Sequence, residues 1–315
     1  MNILYIDEKN RLQENYMYRY YGDLYRELSK NHNVMVFEKR LKDYSVINDA
    51  DCDCVIFGLG YFTNSNPTQY TKLNGLDKVN VPVVCLLHKP QTMLKEKLEF
   101  CKINKINLLL DTNITYKEFA EIVNAKAMRF WFTADPKIYY PRSVDKIYDF
   151  GFSGADHGRD KIKGPTNNLR NRVHKLLLKT DREVFWNSSW DLSYRIHSVE
   201  EYATKISQSK IWLATTGPMN DISPRYFEVM LSKTLLFCND MPYQYEGVFV
   251  DGLNCVTFKN DLCDFEEKLN YYLDNPDAMA KIIDNAYDMA IENYTWEHMA
   301  KKLVKEIKEI QCLSK

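Results

Sequence analysis

Between Asn220 and Asp240 the chain reads Asn-Asp-Ile-Ser-Pro-Arg-Tyr-Phe-Glu-Val-Met-Leu-Ser-Lys-Thr-Leu-Leu-Phe-Cys-Asn-Asp, and five of its residues could act together. Ser223 suits a helix N-cap and Pro224 the first helical position. The N–H groups of Arg225 and Tyr226 would then point out of the helix start, where partial positive charge suits a diphosphate. The Arg225 guanidinium adds a charge-assisted contact. Glu228, one turn further in, is placed to accept from two ribose hydroxyls. An ordinary capped helix with a surface Arg–Glu pair would use the same residues.

Other candidates stand at the ends of apolar runs. Gly154 opens a segment with glycines at 154, 158 and 164 that carries Arg159, Lys161 and Lys163. Arg159 is expected to neutralise a diphosphate leaving group, while the lysines suit a solvated loop. Thr216, within Thr215-Thr-Gly-Pro218, would line a phosphate pocket or simply close a turn. Asn187 follows the run Glu183–Trp186, a place for backbone contacts to a base, with Trp186 or Trp190 as stacking surface or as core. His88 closes the run Pro82–Leu87, either facing a ligand or hydrogen-bonded within its loop. Asp49, Asp51 and Asp53 precede an apolar run rather than follow one, so they read as turn residues and no metal site is expected. Gly58-Leu-Gly60 is too short for a dinucleotide fingerprint, but leaves backbone room for a ligand.

The elements that must position these residues alternate along the chain. Strands are expected at Asn2–Ile6, Asn33–Phe37, Cys54–Phe57, Pro82–Leu87, Ile106–Leu110 and Met128–Phe132. A second series follows at Ile147–Ser153, Glu183–Trp186, Ile211–Ala214, Thr234–Phe237 and Cys255–Phe258. Helical patterns such as Tyr18–Ser29, Thr92–Asn104, Tyr116–Asn124, Asn168–Lys179 and Val199–Gln208 separate them. Three more close the chain, the last beginning at Trp296. This alternation implies an α/β protein with parallel sheets. The prolines of Thr133–Arg142 mark a linker. Residues 1–135 and 136–295 are therefore expected as two Rossmann-like, doubly wound domains, with a ligand cleft between them.

Composition narrows the function classes. The 42 basic and 43 acidic side chains nearly cancel and form no long basic run, so no nucleic-acid partner is expected. No apolar run reaches about 18 residues, so no transmembrane helix is expected. Eight cysteines without zinc or disulfide spacing, and a start that enters a strand directly, suggest reduced thiols and a cytoplasmic location.

The pattern S-P-R-x-F-E-x-x-x-x-x-x-L-L-x-x-D closely resembles the donor-site helix of spore-maturation CgeB-like glycosyltransferases, of the GT-B fold and the glycosyltransferase family 4-like group. Trp131-Phe-Thr-Ala-Asp-Pro-Lys-Ile-Tyr-Tyr-Pro141 resembles the family's linker. Asp149-Phe-Gly-Phe-Ser-Gly154, Asp251-Gly-Leu-Asn-Cys-Val-Thr-Phe258 and Tyr294-Thr-Trp-Glu-His298 match later segments in order. The resemblance covers about residues 128–310 well and the rest in general layout. It implies a GT-B enzyme whose C-terminal helix, residues 296–315, crosses back onto the first domain. It implies a nucleotide-sugar donor held by Gly154, Arg159, Asn187, Thr216, Ser223, Pro224, Arg225, Tyr226 and Glu228, and a catalytic His88 that contacts the donor sugar.

One departure stands out. The broader retaining pattern has two glutamates with seven residues between them, and counting back from Glu228 lands on Asn220, with Asp221 adjacent. The resulting expectation is a metal-independent, retaining glycosyltransferase without a bound cofactor. Its co-substrate is a nucleotide-sugar, UDP favoured over GDP or dTDP, and its acceptor a glycan, a lipid-linked glycan or a glycoprotein. A degenerate binding module and a nucleotide-sugar 2-epimerase are the alternatives.

Overall fold

The computed structural model describes residues 1–8, 12, 19–38, 41–63, 66–155, 168–188, 196–217, 219–245 and 247–313. Its first sheet is built from β1 (Asn2–Ile6), β2 (Asn33–Phe37), β3 (Cys54–Phe57), β4 (Val83–Leu87), β5 (Leu108–Asp111) and β6 (Lys126–Arg129). Helices α1 (Arg19–Ser29), α2 (Leu94–Ile103) and α3 (Tyr116–Val123) lie between them. The second sheet has β7 (Tyr148–Gly154), β8 (Val184–Ser188), β9 (Ser209–Ala214), β10 (Leu235–Asn239) and β11 (Val256–Phe258). With it go α4 (Leu169–Leu177), α5 (Val199–Ser207), α6 (Arg225–Leu231), α7 (Phe265–Asp274) and α8 (Pro276–Asn293), and α9 (Trp296–Leu313) ends the chain.

The chain divides into two compact units, Met1–Trp131 with Trp296–Lys315, and Phe132–Thr295. In the first unit the strand order is β2-β1-β3-β4-β5-β6, every pairing parallel. Strands β3, β4 and β5 are buried at every position, as an apolar strand covered on both faces must be. Helix α9 packs on α1 within this unit. Strand β6 begins two residues earlier than the apolar run suggests, because parallel register with β5 pairs Leu108 with Lys126. The Lys126 ammonium then reaches Glu306 and Glu309 of α9 at 2.7 and 2.6 Å.

The second unit has the order β11-β10-β9-β7-β8, again all parallel. Phe150, Phe152, Leu213, Phe237 and Phe258 of its strands close a core with Leu169, Val173, Phe265 and Ile282 of its helices. In each sheet successive strands run outward in both directions from one seam, β1/β3 in the first unit and β7/β9 in the second. Such a seam leaves a crevice at the strands' carboxyl ends, where doubly wound folds bind ligands.

The room expected at Gly58 is taken by the protein itself. A Cβ there would meet Asp7 Oδ2 at 2.1 Å and the Tyr5 ring at 2.6 Å. Asp7 ties the end of β1 to the turn after β3, accepting from Gly60 N at 3.1 Å and Glu8 N at 2.7 Å. Gly58→Ala is therefore expected to cost about 1–3 kcal/mol of stability, the range for overpacking a filled site. Urea unfolding of the variant checks it.

Candidate functional site

At the β7/β9 seam two guanidinium groups converge. Arg225, the first residue of α6, donates from Nη2 to Ser153 O at 2.7 Å. Arg170, in the first turn of α4, donates from Nε to Thr215 Oγ1 and from Nη1 to Ala155 O, both at 2.8 Å. Both guanidinium carbons lie 5.6 Å from the centre of the Phe152 ring. Gly154 makes this possible: its φ is +148°, and a Cβ would stand 2.9 Å from Arg225 Nη2. Arg170 is absent from the sequence-based candidates. Its signal was available as a cation at the start of the helix following a glycine-ended strand.

The loop from β9 to α6 supplies the polar groups. Thr216 is buried, its N–H donating to Asn239 Oδ1 at 2.9 Å and its Oγ1 accepting from Asn239 Nδ2 at 3.2 Å. Asn220 takes a left-handed φ of 60°, and its carbonyl accepts from the Tyr245 hydroxyl at 2.8 Å. The carboxylate next to it, Asp221, turns inward against Gly217, where a Cβ would approach Asp221 Oδ1 to 2.6 Å. Burial pushes the Asp221 carboxyl above its ordinary value, opposed by backbone N–H groups and by the charge of Arg170. Asp221 Oδ1 and Ser223 Oγ are buried and make no hydrogen bond among the described residues.

Ser223 does not cap α6. Pro224 holds the N-cap position with helical angles, φ −50° and ψ −29°. Its carbonyl already accepts from Phe227 N and Glu228 N, both at 3.0 Å, so helical bonding starts at the proline and the serine hydroxyl is released from capping. The Tyr226 N–H is taken by Ser223 O at 3.3 Å, and its ring is buried 5.1 Å from Phe249. Glu228 Oε2 accepts from the Tyr202 hydroxyl of α5 at 3.0 Å. Asn187 lies at the carboxyl end of β8, its Oδ1 accepting from Ser153 Oγ at 3.1 Å. Trp186 is not a free platform: it stacks on His174 at 4.4 Å and lies 4.4 Å from Phe152. Arg159, Lys161, Lys163 and Trp190 lie outside the described residues.

In the first unit, His88 follows β4 and is 7% exposed. Its Nε2 shares a 3.3 Å hydrogen bond with the Tyr21 hydroxyl of α1, with the rings edge to face. A cavity of about 330 Å³ opens at the end of β1, lined by Asp7, Glu8, Glu38, Asn66, Thr68 and Gln69 with Ile6 and Tyr61. Burial pushes the Asp7 carboxyl up to about 7. Asp51 and Asp53 secure the start of β1, accepting from Asn2 Nδ2 at 2.8 Å and Asn2 N at 2.7 Å. Among the described residues no helix is long and apolar enough to cross a membrane.

Residues 168–305, which carry most of the second-unit groups, match the glycosyl transferase-like family. No curated protein matches the chain. Among solved structures, sucrose-phosphate synthase from Thermosynechococcus elongatus superposes with a TM-score of 0.65 at 9% identity, covering 99% of this chain and 100% of that one. Anabaena Alr3699/HepE in complex with UDP-glucose gives a TM-score of 0.60 at 12% identity, covering 98% and 100%. An alpha-glucosyltransferase in complex with UDP and a 13-mer DNA containing a HMU base gives 0.61 at 12%, covering 98% and 99%. At such identities the likeness establishes the fold, which is GT-B.

Proposed function

We propose that this chain, a glycosyltransferase of the GT-B fold, transfers a sugar from a nucleotide-sugar to a hydroxyl of a glycan acceptor. One observation carries the donor assignment: Arg170 and Arg225 converge at the β7/β9 seam, on the carbonyls of Ser153 and Ala155 and the hydroxyl of Thr215. Two guanidinium groups beside a glycine-ended strand suit the two phosphates of a nucleoside diphosphate. Ser223 Oγ, buried without a hydrogen-bond partner among the described residues, supports the same assignment, since a hydroxyl released from capping can donate to a phosphate oxygen. Glu228, held by Tyr202, accepts from the ribose hydroxyls, and Asn187 and Thr216 line the nucleotide side. His88 contacts the transferring sugar.

Breakage of the glycosidic bond leaves negative charge on the departing nucleoside diphosphate. Fixed guanidinium groups stabilise that charge without reorganising, so no metal is required in this scheme. UDP is the proposed nucleotide, and the CgeB-like group, with its S-P-R-x-F-E helix, the proposed subgroup. The amide and hydroxyl side chains of Asn66, Thr68 and Gln69 in the lining of the first-unit cavity suit a hydroxyl-rich acceptor. Retention of anomeric configuration is checked by an NMR time course of the first-formed product, where inversion would overturn it.

A thermal-shift comparison of UDP, GDP, dTDP and their glucose conjugates tests the donor. A nucleotide at about 100 times its Kd stabilises the folded state by about 2.7 kcal/mol, a shift of about 5 °C or more. UDP and UDP-glucose are expected to produce it in the wild type, and Glu228→Ala to lose most of it. No shift with any nucleotide, on folded protein, would overturn the donor assignment.

A further inference from the structure

The loop between β4 and α2 carries His88 and is held in an unusual way. Two of its residues, Lys89 and Met93, are left-handed without being glycine, with φ of 51° and 54°. Such backbone persists only where the surroundings over-determine it. The Thr92 N–H and hydroxyl both donate to Lys89 O at 3.0 Å, and Lys97 N donates to Met93 O at 3.1 Å; to these a buried side chain is added. Lys97 of α2 is fully buried, and its Nζ donates to His88 O at 2.7 Å, Lys89 O at 3.1 Å and Thr92 Oγ1 at 3.4 Å. Helix α2 has no side-chain cap of its own.

We infer that Lys97 is a positioning residue, a buried ammonium that clamps the loop in the strained form presenting His88. The chemistry is a matched count: a protonated lysine has three N–H donors and no acceptor, and three oxygens converge on it. A neutral amine keeps two donors and turns a lone pair toward the third oxygen, so loss of the proton must break one contact. The groups facing the ammonium are Lys89 and His88 in the loop, Asp111 at the end of β5, and the Tyr70 ring at 6.0 Å. Burial first, then the Lys89 charge, pushes the Lys97 ammonium down to about 8, with Asp111 opposing. The clamp is therefore closed at neutral pH and opens as pH rises through about 8.

Stability moves the other way. Between about 8 and the ordinary 10.5 the unfolded chain binds the proton that the folded chain has lost. Over that range the wild type gains stability relative to Lys97→Met. Simple loss of packing has no such opposite sign.

The inference rests on the proposed role of His88, and the experiment separates the two. Histidine-selective NMR of the full chain, from pH 6.5 to 9.5, follows the His88 ring in wild type and Lys97→Met. The expected result is an inflection of the His88 signal near pH 8 in the wild type that is missing from the variant. With UDP-glucose turnover as the readout, Lys97→Met lowers kcat by about tenfold or more and leaves KM within about threefold, and Lys97→Arg does not restore it. A His88 signal and kcat unchanged in Lys97→Met overturn the inference. If His88→Ala keeps full kcat, the catalytic role of His88 fails instead, and the imidazole titration alone decides the clamp. Should Lys97→Met not fold, the wild-type titration decides, and absence of the inflection overturns it.

Discussion

Arg225→Ala is expected to lower kcat/KM for UDP-glucose by about 10²–10³-fold, the range for removing one preorganised donor from a developing negative charge. The side chain bridges two jobs. Its Nη2 holds the Ser153 carbonyl at the end of β7, and its guanidinium carbon, like that of Arg170, lies 5.6 Å from the centre of the Phe152 ring. Lysine keeps the charge but lacks the planar fork that can bond a carbonyl and a phosphate together, so Arg225→Lys should recover only part of the loss. Steady-state release of UDP from UDP-glucose measures both variants, with near-ultraviolet circular dichroism as the folding control. A change below about threefold in Arg225→Ala would remove the guanidinium pair from the diphosphate, since charged hydrogen bonds are individually worth more than that.

A second large effect belongs to the core beneath this site. Trp212→Ala should cost about 3–5 kcal/mol of stability, as large aromatic truncations do, a substantial part of a typical total of about 5–15. Trp212 is fully buried in the middle of β9, 5.9 Å from the rings of both Phe185 and Tyr202. Its indole edge lies where a Cβ on Gly151 would come within 2.3 Å, so strand and ring interlock. Its Nε1 has no hydrogen-bond partner among the described residues, and Trp212→Phe therefore sacrifices volume but no bond, recovering a good part of the loss. Because Tyr202 also holds Glu228, the alanine variant should bind UDP more weakly even where it remains folded. Chemical denaturation with and without UDP reads both effects.

Much of this molecule was legible in its sequence because period and residue type are local. Strands Asn2–Ile6, Asn33–Phe37 and Cys54–Phe57 fall where the apolar runs put them, and the remaining strands overlap their runs with ends moved by a few residues. Those shifts follow from pairing. Lys126 and Arg129 entered β6 because β5 needed a partner at that level, which a hydrophobicity pattern does not encode. The GT-B fold followed from alternation of strand and helix together with the family resemblance. Arg225 and Gly154 were singled out from their neighbours in sequence, and they meet across 71 positions of chain.

The rest depended on contacts between residues far apart. Arg170 looked like any cation on a helix until β7 and β9 brought Ala155 and Thr215 to it. Ser223 carried a sound local preference for capping that Pro224 overrode by adopting helical angles itself. Nothing local distinguishes Lys97 from the other lysines of its segment, and only the folded loop gives its ammonium three oxygens to hold. Local propensity sets which segments are strand or helix, because each residue feels its own backbone and nearest turns. Which charges are buried, and what they hold, is set by the packing of segments, because desolvation and convergence exist only once distant parts of the chain have closed around a group.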